Sequence, residues 1–527
     1  MNKVCRVICC IWISTFTFLL TAKAIDIIPM PASVLQKKGE YLVKNNVGIY
    51  TNSNDGNELR FVSKILKEEQ GLESSKVTLS KHAGIRLLLN RTLQKELGDE
   101  GYRLSVDETG ILIEAPASTG VFYGIQTLRQ LMKKENGFAR IGFVMISDIP
   151  RFSWRSYMLD EGRAYKGKAV VKKLLDEMAA LKMNVFHWHL TEDQGWRLAI
   201  EKYPNLTKIG AHRDSTQIGG WNSTQYDGRP LEGYYTRTDI KEIVDYAKQR
   251  HINIMPEIEM PGHASAAIAS YPWLGVTKLP IKVPTSFGVK YDTFDVTDPK
   301  VIEFLQNVLK EVMAMFPSDV IHIGGDEVKY DQWNNSPEIQ TYMKKHALVS
   351  PADLQISFTN YISNFLEKNK KRMMGWNDIM GAKLHDYNQD ALPVTGKLSK
   401  SAIIQFWKGN VDMMKDAARN GYDIVNSYHE ATYLDYSNIS LEKAYSFDPV
   451  PEGLDEQYHS KILGLGCQMW GEWISDLNDM YKQTFPRIAA YAEVGWTKAE
   501  NKDYARFQQS LPYFYNRWNK NGISFNK

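Results

Sequence analysis

The chain has 527 residues, 43% of them hydrophobic and 24% charged, with 64 Lys+Arg against 61 Asp+Glu. A chain of this length can bury large cores and spans two or three domains, and its near balance of charge offers no argument for nucleic acid or an anionic membrane as partner. Of its four cysteines, Cys5, Cys9 and Cys10 crowd the start and Cys467 stands alone in the body, so internal disulfides do not staple the fold.

Residues 1–24 read as a secretory signal peptide. Lys3 and Arg6 precede an apolar run from Val7 to Leu20, and Ala22-Lys23-Ala24 is an A-x-A cleavage signal. The run is too short for a transmembrane helix, and no later segment is long and apolar enough to span a membrane. An exported, soluble product follows, periplasmic or secreted, whose body carries 61 basic and 61 acidic residues. Residues 25–149 mix strand-like pieces (Ile85–Leu89, Tyr102–Val106, Ile111–Glu114) with helical ones (Asn57–Gln70, Thr119–Lys133), and Asp107-Glu-Thr-Gly110 makes a hairpin turn. This is a small α+β domain with no catalytic constellation.

From residue 150 to 527 short apolar strands alternate with long amphipathic stretches. Strands are expected near Ser156–Asp160, Asn184–Leu190, Ile252–Ile258, Val320–Gly324, Arg372–Gly375, Ala402–Phe406, Asp423–Asn426 and Ile462–Gln468. Eight alternating units point to an α/β fold, a (β/α)8 TIM barrel with insertions, whose active site lies where the strands end; a doubly wound open sheet is the alternative. The strand ends are where the polar residues collect: Asp160 to Arg163, His187 to Gln194, Glu257 to His263, Asp326-Glu327, Trp376 to Asp378, Trp407, His429 to Asp435, and Trp470 to Glu472. In Val320 to Val328 a β-branched run stops at Gly324-Gly325 and is followed by two carboxylates, an arrangement in which one acid is held ionised and its neighbour protonated. Aromatics mixed with Asp, Glu and Arg suit a sugar ring, whose C–H faces stack on indoles while charged groups take its hydroxyls. Trp188 and Trp496 are assigned to the core instead.

Several motifs together closely resemble the family 20 glycoside hydrolases, the β-N-acetylhexosaminidases: Ile-Gly-Gly-Asp326-Glu327-Val, His-Trp-His-Leu-Thr-Glu-Asp193-Gln-Gly-Trp-Arg, Pro-Glu-Ile-Glu-Met-Pro-Gly-His263, Met-Gly-Trp376, and Phe-Pro-Arg487-Ile-Ala-Ala-Tyr-Ala-Glu493. The resemblance covers nearly the whole chain after the signal, and Ile28-Pro-Met-Pro31 with the helix from Gly120 is similar to that family's non-catalytic N-terminal domain. It implies Glu327 as general acid/base, Asp326 as the carboxylate that orients the substrate's 2-acetamido group, and Tyr433 as donor to the acetamido carbonyl. It further implies Trp376, Trp407 and Trp470 as pocket walls, Arg163, Asp435 and Glu472 as holders of sugar hydroxyls, and His263 with Asp193 as a supporting pair behind the acid. The sequence departs from the pattern at Glu192 and Glu259, where many relatives carry Asp. The implied mechanism is retaining and substrate-assisted, because two adjacent acids at one strand end would hardly reach the anomeric carbon from opposite sides. Its implied action is mostly exo, on glycans bearing β-linked N-acetylhexosamine, with neither cofactor nor metal.

Two other readings stand beside it. His187-x-His189 places two imidazoles on one strand face, and with His263 and Asp326 they offer the ligands of a metal-dependent hydrolase; hydrogen-bonded histidines are the preferred account. The other is a glycan-binding homologue without activity. Linkage, Gal or Glc configuration and oligomeric state are not encoded legibly.

Overall fold

The structure, a computed structural model, describes residues 25–381, 383–385, 387, 394–474 and 476–527. The expected signal peptide, residues 1–24, lies outside the described residues.

The N-terminal part is one mixed sheet with helices on it. Its strands are β1 (Ser33–Lys44), β2 (Val47–Thr51), β3 (Ser74–Lys76), β4 (Ile85–Leu89), β5 (Tyr102–Asp107), β6 (Gly110–Ala115), β7 (Lys133–Lys134) and β8 (Phe138–Asp148). They run in the order β1-β8-β5-β6-β4-β2-β3, with β7 beside β8. The hairpin expected at Asp107–Gly110 is present, held by Asp107 Oδ1, which accepts from the Thr109 amide at 2.8 Å and its hydroxyl at 2.6 Å. Helix α1 (Asn57–Ile65) continues as a π-helical turn over Leu66–Gln70, and α2 spans Ser118–Leu131. A Cβ at Gly120 would overlap the Gly101 carbonyl, so only glycine lets α2 lie this close to the chain entering β5.

Eight parallel strands follow: β9 (Trp154–Asp160), β10 (Val185–His189), β11 (Asn253–Glu257), β12 (Val320–His322), β13 (Arg372–Trp376), β14 (Ile403–Phe406), β15 (Asp423–Asn426) and β16 (Ile462–Met469). They pair in sequence and β16 closes on β9, so the barrel is closed and the open-sheet alternative is overturned. Because side chains alternate along a strand, the interior fills in layers. The bottom layer is apolar: Trp154, Val185, Met255, Val320, Met374, Ile403 and Val425. Two residues further up, His187, Glu257, His322 and Gln405 form a buried polar layer. Above it Met158, Trp376, Tyr433 and Trp470 pack together.

The two parts share a buried seam. Lys182 Nζ meets Asp148 Oδ2 at 3.0 Å, and the Trp496 indole donates to both Asp148 oxygens at 3.0 Å. Arg155, fully buried, donates to Glu100 at 2.6 and 3.1 Å. Trp188 and Trp496 are core residues, each 0% exposed. Among the described residues no helix is long and apolar enough to cross a membrane.

Candidate active site

Strand β12 stops two residues earlier than expected, because Gly324 and Gly325 take φ of 64° and 87° and leave the extended region. Backbone pairing to β13 nevertheless persists, with the Ile323 amide on the Met374 carbonyl and the Trp376 amide on the Gly324 carbonyl, each 2.9 Å. A Cβ at Gly324 would overlap the Glu259 carboxylate. The double turn therefore fits over Glu259 and delivers Asp326 and Glu327 to the rim, Glu327 itself in the left-handed region at φ 52°. The Glu327 amide is held by Asp378 Oδ1 at 3.2 Å.

Both acids stand beside one imidazole. His263 Nε2 is 3.6 Å from Asp326 Oδ2 and 3.7 Å from Glu327 Oε2, while its Nδ1 faces Glu192 Oε1 at 2.7 Å and Asp193 Oδ2 at 3.1 Å. Burial disfavours a charged His263, but Glu192, Asp193 and Asp326 outweigh it and hold the ring protonated well above its ordinary range. Burial pushes the Asp326 carboxyl up to about 7, opposed by His263 and reinforced by Asp378 and Glu327. Asp193 also accepts from the Ser265 amide and hydroxyl, at 3.0 and 2.6 Å, so the pair behind the acids is itself anchored.

The pocket wall is built on the polar layer below. Glu257 Oε2 meets His187 Nε2 at 2.7 Å and His189 Nδ1 at 2.6 Å, and its Oε1 accepts from the Trp376 indole at 2.8 Å. That bond fixes Trp376 against Trp470 (ring centroids 5.7 Å) and Trp407 (6.5 Å). Trp407 donates its indole N–H to Asp378 Oδ2 at 2.8 Å and lies parallel to Tyr433, 6° and 6.2 Å apart. Tyr433 is pinned by a backbone bridge to Gln468 of β16. Its phenol, raised by burial well above 10, stays a neutral donor.

At the far side Arg163 reaches Glu192 Oε1 at 3.0 Å, Asp160 Oδ2 at 3.3 Å and Glu472 Oε1 at 3.7 Å, and lies 5.1 Å over the Trp470 ring. Burial lifts Asp435 to about 8, with Glu472 adding to it, and also raises Glu472 against the pull of Arg163. Among the described residues the buried Asp435 Oδ1 has no hydrogen-bond partner, an acceptor suited to a bound hydroxyl.

A box of three indoles and a phenol, with two acids on one side and an arginine–carboxylate group on the other, has the chemistry that suits a sugar ring. The sequence pattern of glycosyl hydrolase family 20, catalytic domain, matches residues 152–499, and that family's domain 2 matches residues 24–149. The chain belongs to glycosyl hydrolase family 20. It is 32% identical to a beta-hexosaminidase of Porphyromonas gingivalis over 95% of this chain and 64% of that one, so it spans less than two thirds of that relative's length. It is similar to the crystal structure of a beta-N-acetylhexosaminidase from Bacteroides fragilis (TM-score 0.78, 30% identity, 95% of this chain and 96% of that one). It also resembles a family 20 exo beta-N-acetylglucosaminidase from Vibrio harveyi solved with N-acetylglucosamine (TM-score 0.82, 29% identity, 96% and 78% coverage).

In this family 20 chain Asp326, Glu327, Tyr433, Arg163, Trp376, Trp407, Asp435, Trp470, Glu472, Asp193 and His263 all lie at the C-terminal mouth of the barrel. The three-histidine metal set does not form: His187 and His189 share Glu257, while His263 belongs to Glu192 and Asp193. Both departures from the family pattern have defined contacts, Glu192 bridging Arg163, His189 and His263, and Glu259 lying under the glycine turn. The sequence reading did not single out His385, whose Nε2 contacts Asp378 Oδ1 at 2.7 Å and whose Nδ1 is 3.8 Å from Glu327 Oε1. It sits in the loop after β13, where no periodicity marks it.

Proposed function

We propose that the chain is a retaining, exo-acting β-N-acetylhexosaminidase that removes terminal β-linked N-acetylglucosamine or N-acetylgalactosamine, using the substrate's 2-acetamido oxygen as nucleophile. The observation that carries this reading is that Asp326 and Glu327 both flank His263 Nε2, within 3.7 Å. An enzyme nucleophile and its acid partner must approach the anomeric carbon from opposite faces, and two acids on one side of the pocket do not.

In this mechanism Glu327 protonates the departing glycosidic oxygen and later draws a proton from water. Asp326 and the Tyr433 hydroxyl hold the amide, Asp326 balancing the positive charge that grows on it as the oxazoline ring closes. The raised Asp326 carboxyl suits this role, because the developing cation stabilises its ionised form at the moment the charge is needed. Residues 150–527 carry the chemistry and 25–149 none. The signal-like N-terminus supports export to the periplasm or medium, and the balanced charge supports a carbohydrate partner rather than nucleic acid.

Turnover of p-nitrophenyl β-N-acetylglucosaminide against the β-glucoside tests the reading. Hydrolysis of the first with essentially none of the second is expected, together with strong inhibition by a thiazoline mimic of the cyclised intermediate; comparable turnover of both would overturn it.

A further inference from the structure

Outward from Glu327, the pocket mouth carries groups that the mechanism leaves unused. Lys290, Lys329 and Lys408 are all partly buried there, and among the described residues none has a carboxylate within 4.0 Å. Lys329 Nζ lies over the rings of Tyr291 and Tyr387, at 4.2 and 5.0 Å. Lys408 Nζ is 3.4 Å from His385 Nδ1, the nitrogen that faces Glu327. Tyr387 stacks on His385 with centroids 5.0 Å apart and planes 6° from parallel, yet remains 44% exposed, and Tyr291 is 53% exposed. Burial, helped by Lys329, holds the Lys290 ammonium below its ordinary range against the pull of Asp193, Glu192 and Asp292.

The N-acetylhexosamine fills the indole box, and Glu327 protonates the bond to whatever follows it. The surface outward from Glu327 therefore faces the leaving group. Exposed phenol rings there offer stacking to a pyranose, and Lys329 and Lys408, with no carboxylate within 4.0 Å among the described residues, offer charge-assisted bonds to an anion. We propose that this rim is a leaving-group subsite for an acidic sugar, a uronic acid or a sulfated hexose, held by Lys329 and Lys408 and stacked on Tyr387. The proposal rests on the β-N-acetylhexosaminidase reading. Its rival is that the lysines only offset the acidic pocket, in which case they act on every substrate alike.

The test compares kcat/KM for N-acetylglucosamine β-linked to galactose, to 6-sulfated galactose and to glucuronate, with the p-nitrophenyl glycoside reporting on the chemistry itself. Each acidic disaccharide is expected to exceed the neutral one about five- to tenfold at low ionic strength, what one or two partly exposed ion pairs supply, and added salt should erode the advantage. A preference for only one of the two acids still supports the subsite and identifies the anion. Lys329→Met with Lys408→Met should abolish the preference, and Lys329→Arg with Lys408→Arg should keep it. No preference in the wild type, or equal losses on acidic and neutral disaccharides in the Met variant, would overturn the subsite. An inert aryl glycoside would overturn the hexosaminidase reading and the subsite with it, whereas aryl turnover without an acidic preference overturns the subsite alone.

Discussion

Replacing Asp326 by Asn should make the protein more stable and a worse enzyme, and the gain should depend on pH. Only 11% of the Asp326 side chain is exposed, and burial lifts its carboxyl from 3.8 to about 7. Between those values the folded chain holds a proton that the unfolded chain has released, so stability falls as pH rises, by about 1.4 kcal/mol per unit. Across the whole window the loss reaches ~4 kcal/mol at most. Asn does not titrate. Asp326→Asn should therefore match the wild type near pH 4 and outlast it from pH 7 upward, by up to ~4 °C in Tm for a chain with an unfolding entropy of about 2 cal/mol/K per residue. Scanning calorimetry of both proteins from pH 4 to 8.5 reads the gap directly. A gap that does not change with pH, or a variant that melts lower at pH 8, would refute the reasoning. Its kcat on acetamido substrates should fall at the same time, since a neutral side chain cannot balance charge that appears only in the transition state.

Glu327→Gln should cripple hydrolysis of natural glycans far more than of nitrophenyl glycosides, because a good leaving group hardly needs a proton; acid assistance contributes ~10²–10⁴-fold, and equal losses on both would remove Glu327 from that role. Arg163→Met leaves Asp160, Glu192 and Glu472 facing one another without their cation, so stability should drop by about 3–5 kcal/mol, and a melting temperature within a degree of wild type would show that the arginine is dispensable there. Exhaustive dialysis against EDTA should leave turnover intact, since side chains and the substrate amide fill every role; activity lost and then restored by zinc would move the chemistry to a metal.

The barrel was legible in the sequence because its strands are buried on both faces and read as short apolar runs. All eight are found within two residues of their expected ends, and the largest difference at a functional position, at Gly324, is where backbone conformation rather than hydrophobicity ends the strand. In the N-terminal sheet β1 was invisible. Most of its side chains are exposed, Lys37 and Lys38 interrupt any alternation, and its register breaks between Gln36 and Glu40. The acids at the strand ends could be found because a closed barrel brings all strand termini to one mouth. Which of them touch could not. The Glu257 web joins residues about seventy and about one hundred and twenty positions apart, a pairing set by barrel register that no local pattern encodes. His385 contacts Asp378, seven positions earlier in the chain, in a stretch where neither period two nor period 3.6 gives a signal.

The central claim is that the nucleophile belongs to the substrate. Fluorine on the acetyl group withdraws electrons from the amide oxygen while barely changing the sugar, so rates on the N-acetyl, N-fluoroacetyl, N-difluoroacetyl and N-trifluoroacetyl aryl β-glucosaminides measure that oxygen's part in the transition state. Attack by the acetamido oxygen held by Asp326 and Tyr433 predicts a steep, monotonic fall in kcat/KM along the series, to near nothing at trifluoroacetyl. A flat series, or a covalent glycosyl adduct on Asp326 or Glu327 found by mass spectrometry, would contradict it.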